Sequence, residues 1–444
     1  MRPFVIEPGQ SIDAPQDVVI TEDVKVGNER LRKGHRVQEA DLSFLAQVAN
    51  PIHAIRLEVG DVHEDEAGAR LARAVAGQGV RIVGPSFSRY NLVATHKGLL
   101  RVDAATMLAM NLLPGVAMFT LEDRVSVVPG MVVAGIKVSP VAVTESVLQQ
   151  AEGIAAAHSV IEVVPFRPMR VGVVSTEGPD WRVRDAFQRS LAKKIGWYGG
   201  EVIDFREPGR DADAIAGAFT HLADAGVDLI LAAGGNTIDP LDSMYLALEK
   251  AGADLVRFGA PAHPGSMFWL AYRDDLPIFN LASCSMFSKS TIADVVLPWI
   301  MTGERVLPET LAALGVGGLL DRGMTHRFPP YDADAVDWLI AQTHCQPCLI
   351  QLTCSVLVDA QNARKSRHAT KDDVEQAFDQ VVKKTGEYVF RGPELKRLTA
   401  EQFVDAVWQI TRSFQASSRS PARHGCTAPP ALKTTPTTVV MSEW

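Results

Sequence analysis

The stretch Val227-Asp-Leu-Ile-Leu-Ala-Ala-Gly-Gly-Asn-Thr-Ile-Asp-Pro-Leu-Asp242 decides the fold class. Its first half is almost continuously aliphatic and too short for most helices, which reads as a strand buried on both faces of a parallel sheet. The strand stops at Gly234-Gly235, where the absence of Cβ opens backbone angles closed to other residues and lets a ligand approach closely. Asn236 and Thr237 follow, and then Asp239-Pro240, a cap-and-proline pair that predicts a helix start. A glycine pair alone marks only a turn. Between a buried strand and a helix start, it places unpaired N–H groups at the carboxyl edge of a sheet, where open α/β folds bind anionic ligands.

Working outward, the chain from Met169 to Gly318 alternates strand and helix patterns. Arg170 to Thr176 and Glu201 to Phe205 read as strands, as do Asp254 to Phe258 and Leu276 to Leu281. Helical spacing spans Trp181 to Ile195 and Asp211 to Ala225, continues through Tyr245 and Leu248, and returns from Phe287 to Met301. This alternation predicts an α/β fold with a doubly wound, mostly parallel sheet over 166–322. Residues 1–165 carry short strands broken by turns and an acidic helix near Asp61, which predicts an α+β region. Beyond Arg322 the chain becomes a helical C-terminal extension, with a helical segment at 331–390 and a short helical piece at 391–414. The segment 415–444, rich in Ser, Pro, Thr and Ala, lacks hydrophobic periodicity and is expected to be disordered.

Composition bounds the function. The 444 residues, 47% hydrophobic and 22% charged with a net charge of −8, describe a soluble globular chain with room for two or three domains. That charge argues against a general nucleic-acid binder. From Gln361 onward there are 13 Lys/Arg against 9 Asp/Glu, so the extension is basic and the body before it carries about −12. No apolar run long enough to cross a bilayer and no secretory leader stand out, and five cysteines form no disulfide framework, so the expected location is the cytoplasm.

Several residues can carry chemistry. Asp239 and Asp242 are three positions apart, a spacing that lets both carboxylates share magnesium with a ligand phosphate. Equally, Asp239 caps the helix and Asp242 favours its positive end. The loop Ala282-Ser-Cys-Ser-Met-Phe-Ser288 and Lys289 can bind an anion through Ser283, Cys284, Ser285 and the ammonium group, or simply cap the next helix through Ser283 or Ser285. Pro261-Ala-His-Pro-Gly-Ser266 reads as a rigid turn between a strand and an apolar helix, with His263 as a loop residue before it is a catalyst. Asp180-Trp-Arg-Val-Arg-Asp185 can bring carboxylates and two cations to the same edge. Asp61 with Glu64 reads as a helix-capping pair before it reads as a metal site. His344, Cys345 and Cys348 have part of a zinc pattern but lack a second ligand pair, so they read as small helix residues with Cys354.

These loops resemble the molybdopterin-binding domain family of molybdenum cofactor biosynthesis, most closely a bacterial group of molybdopterin-binding proteins. The resemblance is carried by Arg182-Val-Arg-Asp-Ala-Phe187, Ala233 to Asp242, Phe258-Gly-Ala-Pro261 and Pro264-Gly-Ser-Met-Phe268. It continues through Ser288-Lys-Ser-Thr291, Asp294-Val-Val-Leu-Pro298 and Gly303-Glu304. Upstream, Leu31 to Leu42, Asp61 to Glu66 and Asn91 to Ala94 also look like this group. The resemblance implies a pterin or nucleotide ligand, magnesium, and a transferase reaction such as nucleotidyl transfer or molybdate insertion. It implies Asp185 and Asp242 as functional acids, with Asp239 beside Asp242 on the metal. For the ligand it implies Thr176, Gly234, Gly235, Asn236, Thr237, Pro264, Gly265, Ser266, Ser283, Cys284, Ser285 and Lys289. It also allows a homo-oligomer.

Two departures stand out: the family's Gly-Gly-Thr-Gly is Gly234-Gly-Asn-Thr237, and its Leu-Pro-Gly is Leu281-Ala-Ser283. They keep a second reading open, a carrier of molybdopterin without turnover, and a third, an interaction protein with the α/β unit as scaffold. Pro347 to Cys354 followed by Ala369 to Glu375 is similar to the helical lid end of some bacterial AAA-type ATPases, and Arg397 to Trp408 resembles a segment of bacterial proteins of unknown function. No Gly-x-x-x-x-Gly-Lys motif is present, so no ATPase activity follows. The 331–390 segment is expected to pack on the body or to meet a protein partner.

Overall fold

The structure is a computed structural model that describes residues 1–156, 159–176, 181–235, 239–281, 291–321, 324, 327–328, 353–357, 359–360, 363 and 371–385. Its centre is a six-stranded sheet built from β1 (Arg170–Ser175), β2 (Glu201–Arg206), β3 (Leu229–Ala233), β4 (Asp254–Phe258), β5 (Trp269–Arg273) and β6 (Leu276–Leu281). The order across the sheet is β2-β1-β3-β6-β5-β4. The first four of these positions run parallel, while β5 is antiparallel to both its neighbours. Among the described residues this unit includes the helices α1 (Trp181–Trp197), α2 (Ala212–Asp224), α3 (Ser243–Lys250), α4 (Ile292–Met301) and α5 (Pro308–Ala313).

Every residue of β3 is buried. Leu229, Leu231 and Ala233 pack with Phe187, Leu191 and Ile195 of α1 and Val296 and Ile300 of α4. Ile230 and Ala232 point the other way, into a cluster with Ile215, Phe219 and Leu222 of α2 and Met244 and Leu248 of α3. The two-residue periodicity of a strand thus feeds two cores, one on each face, which is the doubly wound architecture expected from the sequence.

Some boundaries differ from the sequence expectation. The segment after Ser266, expected as an apolar helix, is strand β5. Trp269 and Ala271 enter one core and Leu270 and Tyr272 the other, so the run is apolar throughout and its periodicity cannot separate strand from helix. Asp274, in the left-handed region at φ 55°, turns the chain directly into β6. Helix α3 starts at Ser243 instead of beside Asp239-Pro240, with Asp242 as its N-cap. Helix α4 spans Ile292–Met301 and is capped by Thr291 and Asp294; the helix start expected near Phe287, with Ser283 or Ser285 as its cap, lies outside the described residues. The acidic helix spans Glu64–Val75 and is capped by His63; Asp61 lies in the strand Asp61–His63, where its carboxylate accepts from the Glu58 N–H.

The N-terminal part is α+β. The strands Val116–Thr120, Val132–Val138, Arg89–Ala94 and Val80–Ser86 form a four-stranded sheet in that order, and the helices Glu64–Val75 and Glu145–Ala155 contribute to its core. A smaller sheet pairs Ile52–Arg56 with Arg2–Ile6 and Val18–Ile20. This part is tied to the six-stranded unit at the far end of α4. Glu304 accepts from Arg101 and Arg124, and the Trp299 indole donates to the Arg124 carbonyl at 3.2 Å. In the C-terminal part a helix spans Lys371–Thr385; His344, Cys345 and Cys348 lie outside the described residues, while Cys354 is buried. Among the described residues no helix is long and apolar enough to cross a membrane.

Glu64 is a buried acid, 5% exposed, whose carboxylate is held by the Ser88 hydroxyl. Burial pushes its carboxyl pKa above the ordinary value of 4.5. The folded chain therefore binds this proton more tightly than the unfolded chain, and stability falls as pH rises from the ordinary value through the raised one. Glu64→Gln is expected to raise the thermal midpoint at neutral pH and to flatten its decline between pH about 4 and about 8, read from melts across that range.

Candidate functional site

The carboxyl ends of β1, β3 and β6 lie side by side: Ser175 pairs with Ala233, and Ala233 with Leu281. From β1 the chain proceeds to β2 on one side, whereas β3 and β6 lie on the other. The reversal leaves a crevice between the ends of β1 and β3, the place where open α/β sheets bind ligands. Thr176 stands at that crevice, its N–H donating to the Ala233 carbonyl at 2.9 Å. The residue is 4% exposed, and its hydroxyl has no hydrogen-bond partner among the described residues. A buried hydroxyl without a partner costs about 1–3 kcal/mol, so its presence calls for an explanation.

Opposite Thr176, β3 ends in Gly234 (φ 97°) and Gly235 (φ 85°), both in the left-handed region that favours glycine. Gly235 also meets Asp242 closely: a Cβ there would lie 2.9 Å from Asp242 Oδ1. That oxygen accepts the Met244 N–H at 2.9 Å, capping α3. Asp239 Oδ1 accepts the Leu241 N–H at 2.9 Å, and the Asp242 N–H donates to the Asp239 carbonyl at 3.0 Å. Each carboxylate thus spends one oxygen on the turn. Among the described residues no group of three or more His, Cys, Asp or Glu is placed to hold a metal.

A third wall comes from the turn after β4, which runs parallel to β6 and so ends at the same edge. The Ala260 N–H donates to the Ser266 carbonyl at 3.0 Å, closing this turn. Gly265 (φ 111°) presses on the start of α4, where a Cβ would lie 2.3 Å from Ile292 Cγ2. The Ile292 N–H donates to the Pro264 carbonyl at 3.2 Å. Pro264, Gly265 and Ser266 therefore sit beside the end of the loop that follows β6. His263 is held through its backbone between Gly318 and Leu320.

Asp185 lies on α1, exposed and paired with Arg189 at 2.7 Å, while neighbouring Arg184 pairs with Glu207 at 2.6 Å. The structure brings Thr176, Gly234, Gly235, Asp239 and Asp242 to one stretch of edge, with Pro264 to Ser266 further along it. Asn236, Thr237, Ser283, Cys284, Ser285 and Lys289 lie outside the described residues.

Sequence reasoning missed one pair, Lys194 and Asp294, whose Nζ and Oδ1 meet at 2.6 Å inside the protein. Lys194 interrupts the apolar stripe of α1 one turn after Leu191, and Asp294 follows Thr291 at capping-box spacing. Those were the signals that could have found them.

The arrangement defines a doubly wound α/β domain with a glycine-lined crevice at its topological switch point. Residues 170–302 match the family described as "Probable molybdopterin binding domain". Among solved structures, the chain is similar to the molybdopterin biosynthesis moea protein from Pyrococcus horikosii. That match has 14% identity and a TM-score of 0.25, over 54% of this chain and 79% of the other. It is also similar to MogA, at 19% identity and a TM-score of 0.21, over 30% of this chain and 92% of the other. No curated protein matches the chain.

The cap assignment can be tested by stability. Asp242→Ala is expected to cost about 1 kcal/mol, whereas Asp242→Asn, which keeps a capping oxygen, should change little. Chemical denaturation of both variants beside the parent reads the difference.

Proposed function

We propose that the crevice between Thr176 and Gly234-Gly235 binds the phosphate end of molybdopterin and that the chain serves molybdenum cofactor biosynthesis. The observation that carries this reading is the buried Thr176 hydroxyl, without a partner among the described residues, at the switch point of a domain that matches a molybdopterin-binding family. A phosphate oxygen placed there would accept from that hydroxyl and from the backbone N–H groups of the Gly234–Thr237 loop. Pro264, Gly265 and Ser266, together with Ser283, Cys284, Ser285 and Lys289, would form the facing wall. Asp185 would orient the phosphate or a nucleotide.

In this reading Asp239 and Asp242 would hold magnesium only jointly with phosphate oxygens, since each carboxylate already gives one oxygen to a backbone amide. Magnesium bound in that way would neutralise phosphate charge. The residues that bind the pterin would also suit a transferase that adds a nucleotide or inserts molybdate. One observation favours the second reading, a carrier without turnover: Asp242 is engaged as a helix cap and Asp185 as a partner of Arg189. The chemistry and aqueous ligands of either reading suit the cytoplasm.

Mass spectrometry of gently purified protein is expected to detect a bound pterin, and Thr176→Val, which keeps the shape but removes the hydroxyl, should lose at least tenfold in molybdopterin affinity. That loss corresponds to at least about 1.4 kcal/mol, close to the lower end of the range of about 1.5–3 kcal/mol for a hydrogen bond to a charged group. Equal affinity of Thr176→Val and parent would remove Thr176 from the site. If the pterin binds but no adenylate or molybdate product forms with magnesium present, the carrier reading stands.

A further inference from the structure

The ion pair between α1 and α4 has a geometry that a purely stabilising contact does not need. Lys194 is 7% exposed and Asp294 only 1%. Asp294 Oδ1 accepts from Lys194 Nζ at 2.6 Å, while Oδ2 accepts from the Thr291 N–H at 3.1 Å and the Thr291 hydroxyl at 3.0 Å. One carboxylate therefore does two things at once. It closes the first turn of α4 and it fastens that turn to the last turn of α1.

Burying two charges is expensive, and well-packed apolar residues in their place are often as stable or more so. What a buried pair secures is geometry, because sliding one helix along the other would break its 2.6 Å contact. Phe187, Leu191, Phe279, Leu281 and Leu297 line the same small cavity as the pair. The helices it joins are two of those that follow strands ending at the candidate edge, α1 after β1 and α4 after β6. The start of α4 in turn carries the third wall, through the Ile292 N–H on the Pro264 carbonyl and the close packing of Gly265 on Ile292.

We propose that Lys194 and Asp294 are positioning residues: their pair sets the spacing between α1 and the Pro264–Ser266 wall, and so holds the crevice open to the width its ligand needs. The ligand half of this inference rests on the proposed pterin site; the spacing half does not. Neither residue touches the ligand. Their effect passes through Thr291, Ile292 and Gly265.

The test uses the full chain with both charges replaced at once, Lys194→Met with Asp294→Leu, and a milder variant, Thr291→Val, which removes one of the two bonds to Oδ2. Melting curves report the fold, amide hydrogen exchange reports the wall without any ligand, and calorimetry with molybdopterin reports the site. The double variant is expected to melt near the parent, yet its amides at Gly265, Ser266 and 291–294 should exchange at least tenfold faster and its molybdopterin affinity should fall at least tenfold. Thr291→Val, which also gives up the N-cap hydroxyl of α4, should show faster exchange at Gly265 and Ser266 with a cooperative melt at a slightly lower midpoint, which decides the matter if the double variant fails to fold. Parental exchange at Gly265 and Ser266 in Thr291→Val, or in a folded double variant, overturns the proposal. If the parent itself binds no molybdopterin, the pterin reading fails, and the exchange data still judge the positioning role on their own.

Discussion

The molecule depends on the pairing of β1, β3 and β6 in one parallel register. Ser175, Ala233 and Leu281 end at the same level, so the three loops that follow start from one line. Parallel strands are stable only when both faces are covered, and β3 meets that condition with every residue buried. The edge on which the candidate site is built is consequently a rigid one. Gly234 and Gly235, both at positive φ, follow β3, and Gly265, also at positive φ, lies in the turn after β4. Function concentrates at loops positioned by a rigid scaffold, and this edge is such an arrangement.

The sheet and its order of elements were legible from the sequence because they rest on short-range signals. The aliphatic run of β3 and the glycine pair after it are signals of local composition, and the amphipathic spacing of α1 and α2 is one of local periodicity. Strand β5 was not legible for the same physical reason that β3 was: a run buried on both faces has no period to read. Length and flanking residues must then decide, and Trp269 to Arg273 is short and follows a proline-glycine turn that serves a helix as well as a strand. The helix starts were displaced by a few residues because capping is competitive. Asp239 and Asp242 both suit the position, and Asp242 holds it; Thr291 and Asp294 form the capping box of α4.

The candidate site was legible in part. Composition and spacing brought attention to the glycine loop and the turn at Pro264, and the structure places both on one edge. The isolation of the Thr176 hydroxyl could not be read from sequence, since it depends on which groups the folded chain leaves out of reach. Nor could the Lys194–Asp294 pair, which joins positions 100 residues apart. Both are long-range consequences of the register of the sheet. The two acids singled out for chemistry have local roles as well, Asp242 as a cap and Asp185 in a surface ion pair, so their residue types alone do not separate a catalyst from a carrier.

The central claim is that the switch-point crevice is the pterin site, and the amides that border it report on it directly. Hydrogen exchange of the Gly234 and Gly235 amides, followed with and without molybdopterin, is the measurement that tests it most directly. Binding at the crevice predicts slower exchange at these two positions when the pterin is present, with the amides of the N-terminal sheet unchanged. Unaltered exchange at Gly234 and Gly235 at saturating molybdopterin, or protection confined to another part of the chain, would contradict the account.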